Sequence, residues 1–301
     1  MQEKYIDLHM HTTASDGFLN PEQILRLAIE KNLSAIALTD HDTIANVEEA
    51  IKLGKELGIE VISGVEISVD DVELGFLDVH IVGLFIDIYD KNLTMFLADA
   101  QKHRLEQKKA MVRRLNELGY SITFEQADAL AKGELGRPHL ARVLMANHPD
   151  KFPTMDSVFK NLLGTGKKAY VSRRVKIKLQ TAIKVIKDAG GIPILAHPAV
   201  YAGIEIDFLI RKFAELGGIG IETYYPYDKF KLHKGISQPE LQKLIGKYKK
   251  TCEEFGLIES GGSDFHGTEK VNLGDIKVPY SVLEKMKEFI RKDKNRNHHH
   301  N

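Results

Sequence analysis

Two short triplets, His9-Met10-His11 and Asp264-Phe265-His266, stand near opposite ends of the chain, each at the end of an apolar run. On a strand, residues i and i+2 share a face, so each triplet aims two metal-binding side chains in one direction. Between them lie Asp16, Asp40-His41-Asp42, Gly64-Val65-Glu66, Asp78-Val79-His80 and Ala196-His197-Pro198, nearly all just after a short apolar run. Imidazoles mixed with carboxylates, without thiolates, suit Zn, Mn or Fe better than Ca or Mg alone. Two close divalent ions lower the pKa of a bound water towards ~7 and neutralise phosphoryl oxygens, so the pattern points to a polynuclear hydrolase.

The elements that must position these residues alternate. A strand at Tyr5–Leu8 is followed by a helix over Pro21–Lys31, capped by Asn20 with Pro21 at its first position. Then come a strand Ala35–Thr39, a helix Ala45–Leu57 and a strand Glu60–Ser63. Ile67–Val69 and Asp78–Leu84 are two extended segments around an acidic turn at Asp70-Asp71, a hairpin-like excursion. From Lys91 to Gly166 helical patterns dominate, including the charged stretch Asp99–Leu118 and Pro138–Asn147. Alternation then resumes with helices at Leu179–Ala189, Ile206–Leu216, Pro239–Phe255 and Ser281–Lys292, and strands at Ile192–Ala196, Gly220–Thr223 and Leu257–Ser260. This rhythm predicts an α/β barrel-like body, residues 1–90 and 167–292, interrupted by a helical insertion, 91–166, and followed by a disordered tail, 293–301. In βα barrels the C-terminal strand ends converge on one mouth, which is where the histidines fall.

Lys plus Arg and Asp plus Glu both number 42, so no net basic field recruits long double-stranded nucleic acid or a membrane. The single cysteine, Cys252, forms no internal disulfide and fits a reducing, cytoplasmic compartment. No run reaches the ~18 apolar residues of a membrane span, and nothing indicates an obligate protein partner.

The ordered motifs His-x-His-Thr-x-x-Ser-Asp-Gly, Thr-Asp-His-Asp, Gly-x-Glu, His-Pro and Gly-Ser-Asp-x-His closely resemble those of the PHP family of phosphoesterases, over roughly residues 5–90 and 172–280. The resemblance implies a distorted (β/α)7 barrel with two or three divalent ions held by His9, His11, Asp16, His41, Glu66, His80, His197, Asp264 and His266. It further implies that Glu66 bridges one ion bound by His9, His11 and Asp264 and another bound by His80 and His197, with Asp16, His41 and His266 on a third. The catalytic set it suggests is Asp40, Glu66, His197 and His266. Asp40 could orient a ligating histidine or position the leaving group, Asp78 could accept a hydrogen bond from a group behind the ligands, and both could equally be turn residues; Asp40 is read as a catalytic candidate and Asp78 as structural.

Specificity must come from whatever covers the mouth, and the helical insertion is the spare material. Gly136-Arg137-Pro138-His139 puts a guanidinium and an imidazole at a helix start, suited to a phosphate or else to a solvent-facing turn. Gly164 to Val171 with Arg173-Arg174 forms a second basic stretch. Both segments resemble the capped PHP subgroup acting on nucleoside 3′,5′-bisphosphates and short RNA 5′ ends. By that resemblance Arg137, His139 and Lys167 bind a phosphate, with help from Arg173 or Arg174. Ile221–Pro226 also fits, whereas the Asp228–Ser237 segment is longer than the subgroup's. The expected substrate is a small phosphorylated nucleotide or short RNA. Competing readings are a histidinol-phosphatase-like monoesterase of the same family and a noncatalytic metal-binding module.

Overall fold

The computed structural model describes residues 3–131, 133–230 and 232–298. Strand β1 (Tyr5–Asp7) enters the core directly, and α1 (Pro21–Glu30) starts at a capping box in which Asn20 and Gln23 satisfy each other's backbone N–H groups. Then follow β2 (Leu33–Leu38), α2 (Val47–Leu57), which stops at left-handed Gly58, β3 (Glu60–Asp71) and β4 (Phe76–Leu84). After α3 (Lys91–Glu117), α4 (Phe124–Asp128), α5 (Arg137–Asn147) and α6 (Met155–Val158), the alternation resumes. It runs α7 (Leu179–Asp188), β5 (Ile192–Leu195), α8 (Ile206–Glu215), β6 (Gly220–Tyr224), α9 (Gln238–Phe255), β7 (Ile258–Gly261), β8 (Val278–Pro279) and α10 (Tyr280–His298).

The strands form one mixed sheet in the order β7-β6-β5-β4-β3-β2-β1-β8. β1, β2 and β3 pair in parallel, β3–β4–β5 antiparallel, and β5, β6 and β7 in parallel again. Around the C-terminal ends of β1 and β7 the sheet comes back on itself: Leu8 N–H donates to the Gly261 carbonyl at 3.1 Å, Asp264 N–H to the His9 carbonyl at 2.9 Å, and His11 N–H to the Phe265 carbonyl at 2.8 Å. These bonds nearly close the sheet into the distorted α/β barrel, and they align the two histidine triplets side by side. Solid apolar packing fills it with Ile6, Val65, Ile67, Ile81, Leu195 and Ile221.

Three local expectations are corrected. The segments Glu60–Ser63 and Ile67–Val69 are one 12-residue strand, and the turn lies after Asp71 rather than at Asp70-Asp71. Gly64 makes this possible, because a side chain there would press on the Leu38 carbonyl and Thr39 of the neighbouring strand. The two-residue β8 was not expected, being too short to carry a pattern. Helix α10 continues past Lys292 to His298, where a disordered tail was expected, and residues 299–301 lie outside the described residues.

The insertion has its own apolar core of Met111, Leu115, Leu140, Leu144, Val158 and Leu163. Helix α3 joins both bodies, with Leu93, Leu97 and Ala100 in the barrel core and Met111, Val112 and Leu115 in the cap. No helix among the described residues is long and apolar enough to cross a membrane.

Candidate metal centre

All nine expected donors lie together at one mouth of the barrel, seven of them just past the C-terminal ends of β1, β2, β5 and β7, with Glu66 and His80 inside β3 and β4. Glu66 is at their centre, its carboxylate within 3.3 Å of His9 Nε2 and His11 Nε2, 2.9 Å of His41 Nδ1, 3.0 Å of His80 Nδ1 and 3.2 Å of His197 Nε2. It reaches this place from mid-strand because β2 ends opposite Ser63 while β3 continues. The donors fall into four overlapping groups whose ligand atoms lie within 4.8 Å of one another: His9/His11/Asp264, His9/Glu66/His197, His41/Glu66/His80, and His11/Asp16/His41/His266.

The donor set fits divalent ions on its own geometry. His41 Nδ1, His80 Nδ1 and Glu66 Oε2 are buried around the same carboxylate, yet none has a well-aligned hydrogen bond among the described residues. Converging lone pairs of this kind call for a shared cation. Burial and the neighbouring Arg104 push His41 down to about 3, despite Glu66, so it stays neutral and able to ligate. Burial alone would raise Glu66 and Asp16, but the surrounding histidines outweigh it and hold both carboxyls well below the usual range.

Second-layer groups fix these donors. Glu222 on β6 accepts from His9 Nδ1 at 3.0 Å and from the His197 backbone N–H at 2.8 Å, leaving His9 Nε2 to face the centre. Tyr225 donates its hydroxyl to Asp264 at 2.8 Å, and Asp7 accepts the Ser263 N–H at 2.9 Å, pinning one triplet to the other. Asp42, Asp78, His197 and Asp264 all have positive φ, between 30° and 57°. Such backbone is strained for non-glycine residues by about 1–3 kcal/mol each, and here it redirects strand ends towards the donors.

Beside the donors is a polar cavity lined by Asp16, His41, Asp78 and His80 on one wall, and by Arg104, Gln107, Lys108, Arg137, Tyr170 and Arg173 on the other. Arg137 pairs with Asp78 at 2.9 Å, and Arg104 and Arg173 both pair with Asp42, at 3.2 and 2.9 Å. Lys108 is 2% exposed and, among the described residues, donates only to Gln107, at 3.0 Å. Burial, then Arg104, Arg137 and Arg173, hold its amine well below the ordinary lysine range.

Of the phosphate-binding residues expected from sequence, Arg137 lines this cavity, but Lys167 is exposed on its turn and does not. His139 is buried, its Nδ1 accepts the Gly136 N–H at 3.0 Å and so caps α5, and it is not among the side chains lining the cavity. Asp40 is likewise turned away from the chemistry, since its oxygens accept from Thr12 N–H, Thr12 Oγ1 and Ser15 Oγ at 2.6–2.7 Å. It ties the loop bearing Asp16 to the end of β2. Arg104 and Lys108 were missed, although a signal existed. They continue the three-and-four spacing of Leu93, Leu97 and Ala100 towards Met111 and Leu115, so they occupy the buried stripe.

Known proteins match this arrangement along most of its length. The chain is 38% identical over 268 residues to a 5′-3′ exoribonuclease from Haemophilus influenzae, covering 88% of this chain and 91% of that protein. It is 34% identical to the 3′,5′-nucleoside bisphosphate phosphatase of Chromobacterium violaceum, with 87% of each covered. An amidohydrolase structure from Chromobacterium violaceum with bound sulfate and no metal superposes with a TM-score of 0.81 at 31% identity, covering 94% of this chain and 96% of that one. The model of the PHP domain matches residues 7–182. Given that match and these relatives, the chain belongs to the PHP domain family of metal-dependent phosphoesterases.

Proposed function

We propose that this enzyme removes the 3′-phosphate from a nucleoside 3′,5′-bisphosphate and trims short RNA from the 5′ end. In both cases the 5′-phosphate sits in the cationic cavity and the neighbouring phosphoester at the donor cluster. The supporting observation is Lys108: a buried amine among three guanidinia, without a carboxylate in ion-pair reach among the described residues, is a seat for a multiply charged anion. The names of two relatives, a bisphosphate phosphatase and an exoribonuclease, support the same substrate class.

Two or three divalent ions, of the Mn, Fe or Zn type, would be held by His9, His11, Asp16, His41, Glu66, His80, His197, Asp264 and His266. When bound they supply Lewis acidity and activate water at neutral pH. The chain's own residues do the rest. Arg137 exchanges its Asp78 partner for phosphate oxygens, Arg104 neutralises charge on the dianion while Lys108 donates hydrogen bonds to it, and Glu222 keeps His9 Nε2 turned inward. Asp42 holds Arg104 and Arg173 in place before substrate arrives. The buried, unbridged Cys252 agrees with work in the reducing cytoplasm.

The test is turnover by Mn-, Fe- and Zn-loaded enzyme of adenosine 3′,5′-bisphosphate, adenosine monophosphate, histidinol phosphate and a short 5′-phosphorylated RNA. The bisphosphate and the RNA should lead, and Lys108→Met should raise their KM by about tenfold or more. No release from any substrate, or histidinol phosphate as the preferred one, would overturn the proposal.

A further inference from the structure

The cationic cavity takes up one end of a nucleotide in the proposed function, and the solvent-exposed side of the donor cluster at His266 carries a second arrangement. His266 is the most exposed of the nine donors at 22%, so the cluster opens to solvent past it. On one flank the Phe18 N–H donates to the His266 carbonyl at 2.9 Å, and the Arg142 guanidinium stacks 3.6 Å from the Phe18 ring centre. On the other flank Phe230 packs 4.9 Å from Tyr225, the residue that bonds Asp264, and Lys270 Nζ lies 3.7 Å over the Phe230 ring. Every other cation–aromatic pair among the described residues is 4.4 Å or longer.

Arg142 and Lys270 are exposed, Phe18 and Phe230 are half-buried, and all but Arg142, which lies on α5, are in loops following β1, β6 and β7. Arg142 has no carboxylate partner among the described residues. It lies five positions after Arg137 on α5, a rise of about 7.5 Å, on the scale of one extended nucleotide. Aromatic faces joined to mobile cations are the usual means of holding single strands, one stacking a base and the other meeting the backbone phosphate.

We propose that Phe18–Arg142 and Phe230–Lys270 form the seat of the nucleotide on the 3′ side of the scissile phosphate in a single-stranded RNA. The proposal rests on the function given above, with the 5′-phosphate in the cationic cavity. A nucleoside bisphosphate ends at the scissile phosphate and does not reach this seat. An oligonucleotide must cross it to leave.

The experiment compares wild type, Arg142→Ala, Phe18→Leu and the double variant Arg142→Ala/Lys270→Ala in two assays. In the first, kcat and KM are measured for adenosine 3′,5′-bisphosphate and for a 5′-phosphorylated hexaribonucleotide. KM for the RNA should rise at least about fivefold in each variant, the size of one lost stacking or phosphate contact. KM for the bisphosphate should stay within about twofold. In the second, fluorescence anisotropy follows binding of the same RNA to chelated protein, and the double variant should lower the salt slope by about 0.7 per cation removed. Arg142→Lys should retain the slope. Equal losses on both substrates, or unchanged RNA binding and KM, would overturn the seat. Wild-type protein that turns over neither substrate yet binds RNA through Arg142 would instead sink the proposed activity while leaving the seat standing.

Discussion

Glu222 carries no metal-binding motif, yet both of its oxygens contact His9 Nδ1, at 3.0 and 3.2 Å, and one also accepts the His197 N–H. A carboxylate behind a ligating imidazole sets its tautomer and orientation, and loss of such a partner costs about 10–100-fold in metal affinity or activity. Glu222→Gln should therefore lower kcat by that factor and reduce metal content in elemental analysis. Unchanged metal content with unchanged kcat would show that Glu222 is only filling space. Asp40 teaches the converse. It stands next to His41 in a catalytic-looking motif, but three hydrogen bonds from Thr12 and Ser15 make it a loop anchor. Adjacency in sequence reveals a residue's neighbour along the chain, not the direction in which its own side chain leaves the strand end.

Helices bring the cap to the centre, and their closest approach is tight. Gly136 at the start of α5 lies against Asp16, where an added Cβ would come within 2.4 Å of the aspartate Cβ. Its φ of −98° needs no glycine, so contact alone excludes a side chain. Gly136→Ala should push α5 away from Asp16, destabilise the fold by about 1–3 kcal/mol in chemical denaturation, and lower metal affinity. A variant with unaltered stability and metal content would mean that the loop yields freely. Helix α9 offers a separate check, because burial and then Glu259 push the Cys252 thiol up to about 12. The folded protein keeps this proton while the unfolded chain ionises near 9, so the thiol's contribution to stability falls as pH rises through that value. Alkylation at pH 9 should be slow in native protein and fast in denaturant, and equal rates would contradict this burial.

At the scale of the whole molecule, the donors come from the ends of β1, β2, β5 and β7 and from within β3 and β4, so bound ions would cross-link the barrel mouth, including the seam where the ends of β1 and β7 meet. Ions that bind only the folded state stabilise it by mass action, about 2.7 kcal/mol at a hundred times the dissociation constant. Chelation should lower Tm by at least about 5 °C, with recovery on adding Mn or Zn. A Tm insensitive to chelator would mean that the mouth is held by hydrogen bonds such as Asp264 N–H to His9 alone.

The barrel, and the clustering of the nine His, Asp and Glu side chains at its mouth, were legible in the chain, because strand periodicity is local: His9 and His11, or Asp264 and His266, share a face wherever the strand ends up. Arg137 was legible for a similar reason, standing at a helix start beside a glycine. The partners of these residues were not. Arg104 and Lys108 look like part of a solvated charged helix until α3 docks with that stripe inward, and Glu222 looks like an ordinary strand residue until β6 comes beside β1. Which way His139 and Lys167 turn depended on the packing of α5 and of the re-entry turn. Local pattern sets which face a side chain occupies, but the neighbour it meets there is chosen by contacts between residues far apart in sequence, which exist only after the barrel has closed.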